Sequence, residues 1–109
     1  MKNLTTELLN GYVNGLECEA KKAVFEILSL EDIETVFDYG CSAGVSGFTY
    51  YHETEEFFNE YPDEVLECLQ NVIEEYGAVP SGFEFTRNNL TWLFVEETVR
   101  EMVYDLDLE

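Results

Sequence analysis

Nineteen net negative charges on 109 residues constrain this chain more than any other feature. A small soluble domain stays in solution with a net charge of roughly 2 to 8. Charge of one sign beyond that adds self-repulsion to the compact state, so so large an excess points to use of the field itself. The 24 Asp and Glu residues face only Lys2, Lys21, Lys22, Arg87 and Arg100. From Glu53 to the C-terminus there are 16 acidic residues against two arginines. A partner for such a surface is expected to be basic.

Acidic chains poor in aromatics are usually disordered. Here 46% of residues are hydrophobic and 15% aromatic, spread from end to end, which favours a folded chain. The length fits one domain with a modest core, residues 1–109 forming a single acidic globular unit. Cys18, Cys41 and Cys68 make an odd count without a C-x-x-C pair, so neither a disulfide framework nor a zinc site is supported. The N-terminal residues lack the apolar run of a signal peptide, and no stretch approaches the ~20 apolar residues that span a bilayer. Anionic membranes should repel the chain. The expectation is a cytoplasmic protein, within a host cell, that binds no membrane and carries reduced cysteines.

The expected fold class is α+β and mostly helical, with four to five helices and a small two-stranded antiparallel sheet. Residues 3–10 and 16–29 read as helices. Ser29 and Asp32 form an S-x-x-D start for a short helix to Phe37. Gly40 opens a small-residue turn to Gly47. Phe48-Thr49-Tyr50-Tyr51 reads as a strand able to pair with Phe83-Glu84-Phe85-Thr86. Thr54 is positioned to cap the next helix, Pro62 to sit in a first turn, and Gly77 to close the helix that ends at Tyr76. Asn88 or Asn89 would cap a long last helix, with Trp92, Val95, Val99, Met102, Val103 and Leu106 on one side.

On a helix turning about 100° per residue, Asp63, Glu67 and Glu74 fall within about 40° of one another, opposite Val65, Leu69, Val72 and Tyr76. If the preceding turn is continuous, Glu56 and Glu60 extend the ridge, with Glu64 and Glu75 beside it. Glu53 and Glu55 belong to the same acidic tract. Glu97, Glu101 and Asp105 make a second row. A solvated polar face accounts for polarity, but ordinary surfaces mix both signs and this one does not. Rows of fixed carboxylates can occupy a basic groove meant for DNA or RNA, where duplex DNA presents about one charge per 1.7 Å. Tyr51, Phe58 and Tyr61 are candidate aromatic anchors among the acids, the alternative being that they fill the core.

Catalytic motifs are weak. Gly40-Cys41-Ser42-Ala43-Gly44 spells G-x-S-x-G, yet the sole histidine is His52, ten residues on, with no acid in the required order. The loop has no Lys or Arg with which to hold phosphate. Cys41 lies in acidic surroundings that oppose thiolate formation. His52-Glu53 starts an H-E-x-x-H but lacks the second histidine, and Asp105 to Glu109 lacks the glycine turn of an EF-hand. No enzyme activity, cofactor or metal is expected.

The segment Gly40-Cys41-Ser42-Ala43-Gly44-Val45-Ser46-Gly47-Phe48-Thr49-Tyr50-Tyr51, continued by His52-Glu53-Thr54-Glu55-Glu56-Phe57-Phe58, resembles small proteins carried by phages and other mobile elements. Short, acidic and aromatic-rich, the chain is similar in type to anti-CRISPR and anti-restriction proteins. That resemblance implies an inhibitor that occupies the nucleic-acid site of a defence complex, a CRISPR effector first and a restriction enzyme second. The partner would be a basic nucleic-acid-binding protein or nuclease subunit, with no direct nucleic-acid binding by this chain. It would act as a monomer or weak homodimer. The alternative is an acidic adaptor that engages a protein partner through exposed aromatics.

Overall fold

A computed structural model describes residues 4–40, 45, 47–79 and 81–108. Six helices make up the regular structure of those residues: α1 (Thr6–Asn14), α2 (Glu19–Ile27), α3 (Leu30–Tyr39), α4 (Tyr51–Glu60), α5 (Pro62–Tyr76) and α6 (Arg87–Asp105). No strand occurs among the described residues, which corrects the expected α+β class to all-helical.

Both expected strands are diverted by local hydrogen bonds and burial. Phe48 is fully buried, and its carbonyl accepts from Trp92 Nε1 at 3.2 Å rather than from a neighbouring strand. The Tyr50 N–H donates to Glu53 Oε1 at 3.0 Å, a helix-start contact that turns Tyr51 into the first residue of α4. In the second segment, the Thr86 N–H reaches back to Glu84 O at 2.9 Å, a tight turn that a strand cannot contain. Thr86 then caps α6, accepting from Asn89 N at 3.1 Å, so the cap is two residues earlier than Asn88.

Several helix ends follow their sequence signals. Ser29 Oγ accepts from Asp32 N while Asp32 Oδ2 accepts from Ser29 N, each at 3.1 Å, a complete capping box. Pro62 opens α5, where its missing N–H costs nothing, and Asp63 and Glu64 complement the positive end of the helix. Gly77 closes it with φ 75°, a left-handed conformation that glycine adopts without Cβ strain. Gly47, at φ 88°, packs so closely on α2 that a Cβ there would lie 2.1 Å from Ile27 Cγ2.

Helix α6 is the axis of the molecule, and α2, α3, α4 and α5 all pack on it. Most of its first turns is buried: Asn88, Leu90, Thr91, Leu93, Phe94 and Val95 are buried, with Asn89 and Trp92 half-buried and only Arg87 exposed. Farther on, Thr98, Val99, Met102 and Val103 stay buried on one side while Arg100, Glu101 and Tyr104 reach solvent. The aromatic centre is Phe57, whose ring lies 5.6 Å from Phe48, 5.8 Å from Phe94 and 5.0 Å from Tyr61. Tyr12 of α1 meets Phe25 of α2 edge-on at 5.9 Å.

Thr54 has a different role from the expected cap. It is fully buried inside α4, its hydroxyl donates to Tyr51 O at 3.0 Å, and it is hydrogen-bonded to the Asn88 side chain. Thr91 Oγ1 completes the cluster by donating to Thr54 O at 3.0 Å. No buried side-chain polar atom lacks a partner among the described residues. The Thr54→Val variant keeps the volume but leaves the Asn88 Oδ1 without its donor in the core. It should lose about 1–3 kcal/mol of stability, measured as a lower urea midpoint with an unchanged m-value.

Candidate acidic interface

The candidate acids fall on three surfaces, the outer side of α4, the outer side of α5 and a groove between α5 and α6, with Glu67 shared by the last two. Helix α4 turns Thr54 and Phe57 inward, so Glu55, Glu56 and Glu60 stand on its exposed side. Glu53 is half-buried and its carboxylate is taken up by the Tyr50 N–H, a structural use. The expected continuous ridge from α4 into α5 is not formed. Tyr61, at φ −127° and ψ 52°, ends α4 and precedes Pro62, so Glu56 and Glu60 lie on a separate helix across a corner from Asp63.

Along α5, Val65 and Val72 face the core, and Asp63, Glu67 and Glu74 are exposed together on the far side, as their spacing requires. Tyr76, expected on the inner face, is exposed instead. Asp63 to Glu67 rises about 6 Å and Glu67 to Glu74 about 10 Å along the axis. That is sparser than the 3.4 Å charge spacing of one DNA strand, so no single row matches a phosphate backbone. The density needed comes only from adding the other rows.

The second half of the α5 surface faces α6. Glu64, Glu67 and Glu75 line one wall of an open groove of about 430 Å³, and Glu97 and Glu101 line the other, over a floor of Cys68, Val72 and Phe94. Cys18 and Lys21 at the start of α2 also line it, with Asn71 and Thr98. Lys21 Nζ lies 3.0 Å from both carboxylate oxygens of Glu101. Arg100 pairs with Glu97, three residues earlier on the same helix. Asp105 accepts from the Tyr12 hydroxyl at 3.0 Å. Every member of the second-choice row, Glu97, Glu101 and Asp105, is therefore held by a donor of this chain.

The third basic side chain of the region, Arg87, is also engaged. It donates to Asn59 Oδ1 at 2.8 Å and lies over the Phe58 ring at 5.7 Å. Phe58 is thereby half-covered, and Tyr61 is half-buried against Phe57. Burial first, then Glu60 and the α2 carboxylates, push the Tyr61 hydroxyl up from its ordinary range. Of the three candidate anchors only Tyr51, 73% exposed, is a free surface aromatic. The chain also exposes Tyr39, Tyr50, Phe85 and Tyr104, none of which the sequence singled out. For Tyr104 the helical phase was available: it lies opposite the Val95–Val99–Met102 side.

Cys68 sits in the groove floor, and burial, then Glu97 and Glu101, push its thiol up to about 12, Lys21 opposing them. Tyr12 is likewise raised, by burial first and by Asp105 second. Ser42 and Cys41, with the rest of the candidate G-x-S-x-G turn except Gly40, lie outside the described residues. Among the described residues no group of three or more His, Cys, Asp or Glu side chains is placed to hold a metal ion, and no helix is long and apolar enough to cross a membrane.

In comparison with protein families, residues 6–108 match the family described as Domain of unknown function (DUF7222). No curated protein and no solved structure matches the chain.

Cys68 supplies a pH test. A thiol raised to about 12 in the fold holds its proton more tightly there than in the unfolded chain, near ~8.5. Its contribution to stability is therefore intact below about pH 8.5 and is lost as the pH rises from there towards 12. At pH 8, iodoacetamide should modify Cys68 at least about 100-fold more slowly in the native protein than in urea, as peptide mass analysis would report.

Proposed function

The chain belongs to the DUF7222 family, and we propose that it is a phage- or mobile-element-borne inhibitor of a host nucleic-acid-targeting defence complex. The target class is a CRISPR effector first and a restriction enzyme second. Its acidic surface would occupy the basic groove that normally receives DNA or RNA.

One observation carries this reading: the ion pairs of the described residues lie away from the outer acidic faces. Lys21 is committed to Glu101 and Arg100 to Glu97, while Arg87, which reaches α4 at Asn59 and Phe58, forms no ion pair with the acids there. Glu55, Glu56, Glu60, Asp63, Glu67 and Glu74 are left facing solvent from α4 and α5 with no ion pair among the described residues. Ion pairing among the described residues takes up Glu97 and Glu101 of the α6 row and spares the α4–α5 rows. A surface kept only for solubility gains nothing from that segregation, because interspersed signs serve as well. An unpaired anionic face, by contrast, steers encounter with a cationic groove and loses affinity as salt screens it. Glu64 and Glu75 would add to it from the groove edge, and Glu53 is better described as a cap.

An adaptor that binds a protein partner through aromatics is the second reading, favoured by Tyr51 at 73% and Tyr104 at 85% exposure. Salt separates the two. Tagged protein used in a pull-down from host lysate should lose its partner at high salt, or to competing DNA, if the groove is the target. A partner that survives both favours the adaptor.

The residue-level test is Glu60→Lys/Asp63→Lys/Glu67→Lys. All three side chains are exposed, so the variant should fold. It should lose inhibition of DNA binding by the captured complex, read by gel shift. Retained inhibition by the folded triple variant would overturn the reading.

A further inference from the structure

Helix α5 carries more apolar surface than the core takes up. Val65 and Val72 are buried and Leu69 is half-buried against the core, whereas Leu66, Ile73 and Tyr76 stand 45%, 41% and 58% exposed. At about 100° per residue, Leu66 and Ile73 lie within about 20° of each other, with Leu69 and Tyr76 alongside. The result is one apolar shoulder at i, i+3, i+7 and i+10, the spacing with which one helix meets another. Single exposed apolar residues are ordinary on a soluble protein; a line of them along one helix is what marks a contact surface. Asp63, Glu67 and Glu74 run along its outer edge, roughly 60 to 120° further round.

We propose that this shoulder docks a basic amphipathic helix of a partner protein. The partner's apolar face would cover Leu66, Leu69, Ile73 and Tyr76, and its Lys or Arg side chains would reach Asp63, Glu67 and Glu74. Charge complementarity selects this occupant. A second copy would bring two Asp63–Glu67–Glu74 rows against each other on chains that each carry a net charge of −19, with no cation in the strip to offset them. An anionic lipid surface is opposed by the same row. A purely apolar helix would leave the carboxylates beside it desolvated and unpaired. The inference goes beyond the groove-blocking reading, because it requires apolar contact, which phosphate-binding grooves do not supply. The two share Asp63 and Glu67, but only this one depends on Leu66 and Ile73.

The test uses two fluorescein-labelled peptides of about 18 residues, long enough to fold on contact, with identical Leu, Lys and Ala content. One places its leucines on a single helical face and the other spreads them round the helix. In anisotropy titrations with the full chain, the amphipathic peptide should bind at least about tenfold more tightly than the shuffled one. Leu66→Ser/Ile73→Ser should remove that advantage. Asp63→Asn/Glu67→Gln/Glu74→Gln should weaken both peptides and flatten the salt dependence. Circular dichroism melts check that each variant is folded, and Tyr76→Ser, at a more exposed position, serves if the double variant is not.

Equal affinity for the two peptides, or an unchanged Kd in the folded double variant, would overturn the proposal. So would a concentration-dependent dimer in sedimentation that Leu66→Ser/Ile73→Ser abolishes, since the shoulder would then belong to a second copy. Inhibition lost in Glu60→Lys/Asp63→Lys/Glu67→Lys but kept in Leu66→Ser/Ile73→Ser bears on groove blocking alone, and the peptide titration still decides the docking helix.

Discussion

The burial of α6 is the constraint on which the rest of the molecule depends. Four other helices pack against it, and they bury Asn88, Leu90, Thr91, Leu93, Phe94 and Val95 of its first turns. A helix so enclosed cannot satisfy its polar side chains from water. Thr91 and Asn88 instead close a hydrogen-bonded cluster with Thr54, and Trp92 reaches Phe48 O. Those bonds fix where α4 begins and which of its faces points inward. They also set which acids on α4 can face solvent.

The second organising fact is how few cations the chain has to distribute. With so large an excess of carboxylates, most acids must go without an ion pair, and the geometry decides which ones. The late turns of α6 lie within reach of α1 and α2, so Glu101 obtains Lys21 and Asp105 obtains the Tyr12 hydroxyl. On the outer faces of α4 and α5 the acids have no ion pair among the described residues, and the one cation that reaches α4, Arg87, is held by Asn59 and Phe58. Two acidic rows that look equivalent in sequence are thus unequal in space: one has two of its three charges paired internally, and the other holds its field outward.

The corner at Tyr61 shapes that field further. A continuous helix would have aligned Glu56 and Glu60 with Asp63 and Glu67 in one ridge. The break at Tyr61–Pro62 gives two shorter faces at an angle, together with the apolar shoulder of Leu66, Ile73 and Tyr76. The break also lets Tyr61 tilt against the buried Phe57 ring while Phe58 passes under Arg87. Charge and apolar surface therefore share α5, and a partner would meet both at once.

Local signals in the sequence determined the charge, the helix ends and the phases of single helices, because each depends on residues a few positions apart. The Ser29–Asp32 capping box, Pro62 and Gly77 at the ends of α5, and the common side of Asp63, Glu67 and Glu74 are of this kind. The tertiary structure alone decided matters of long range. Phe48-Thr49-Tyr50-Tyr51 and Phe83-Glu84-Phe85-Thr86 have β-like composition, but no strand forms among the described residues, and burial of Phe48 with the capping of α4 and α6 claims those residues instead. Thr54 looks like a cap until Asn88, thirty-four positions away, takes its hydroxyl. The compensation of Glu101 by Lys21 spans eighty positions, and the exposure of Leu66 and Ile73 depends on which neighbours the fold withholds. Periodicity reports which residues share a face; only packing reports what, if anything, covers it.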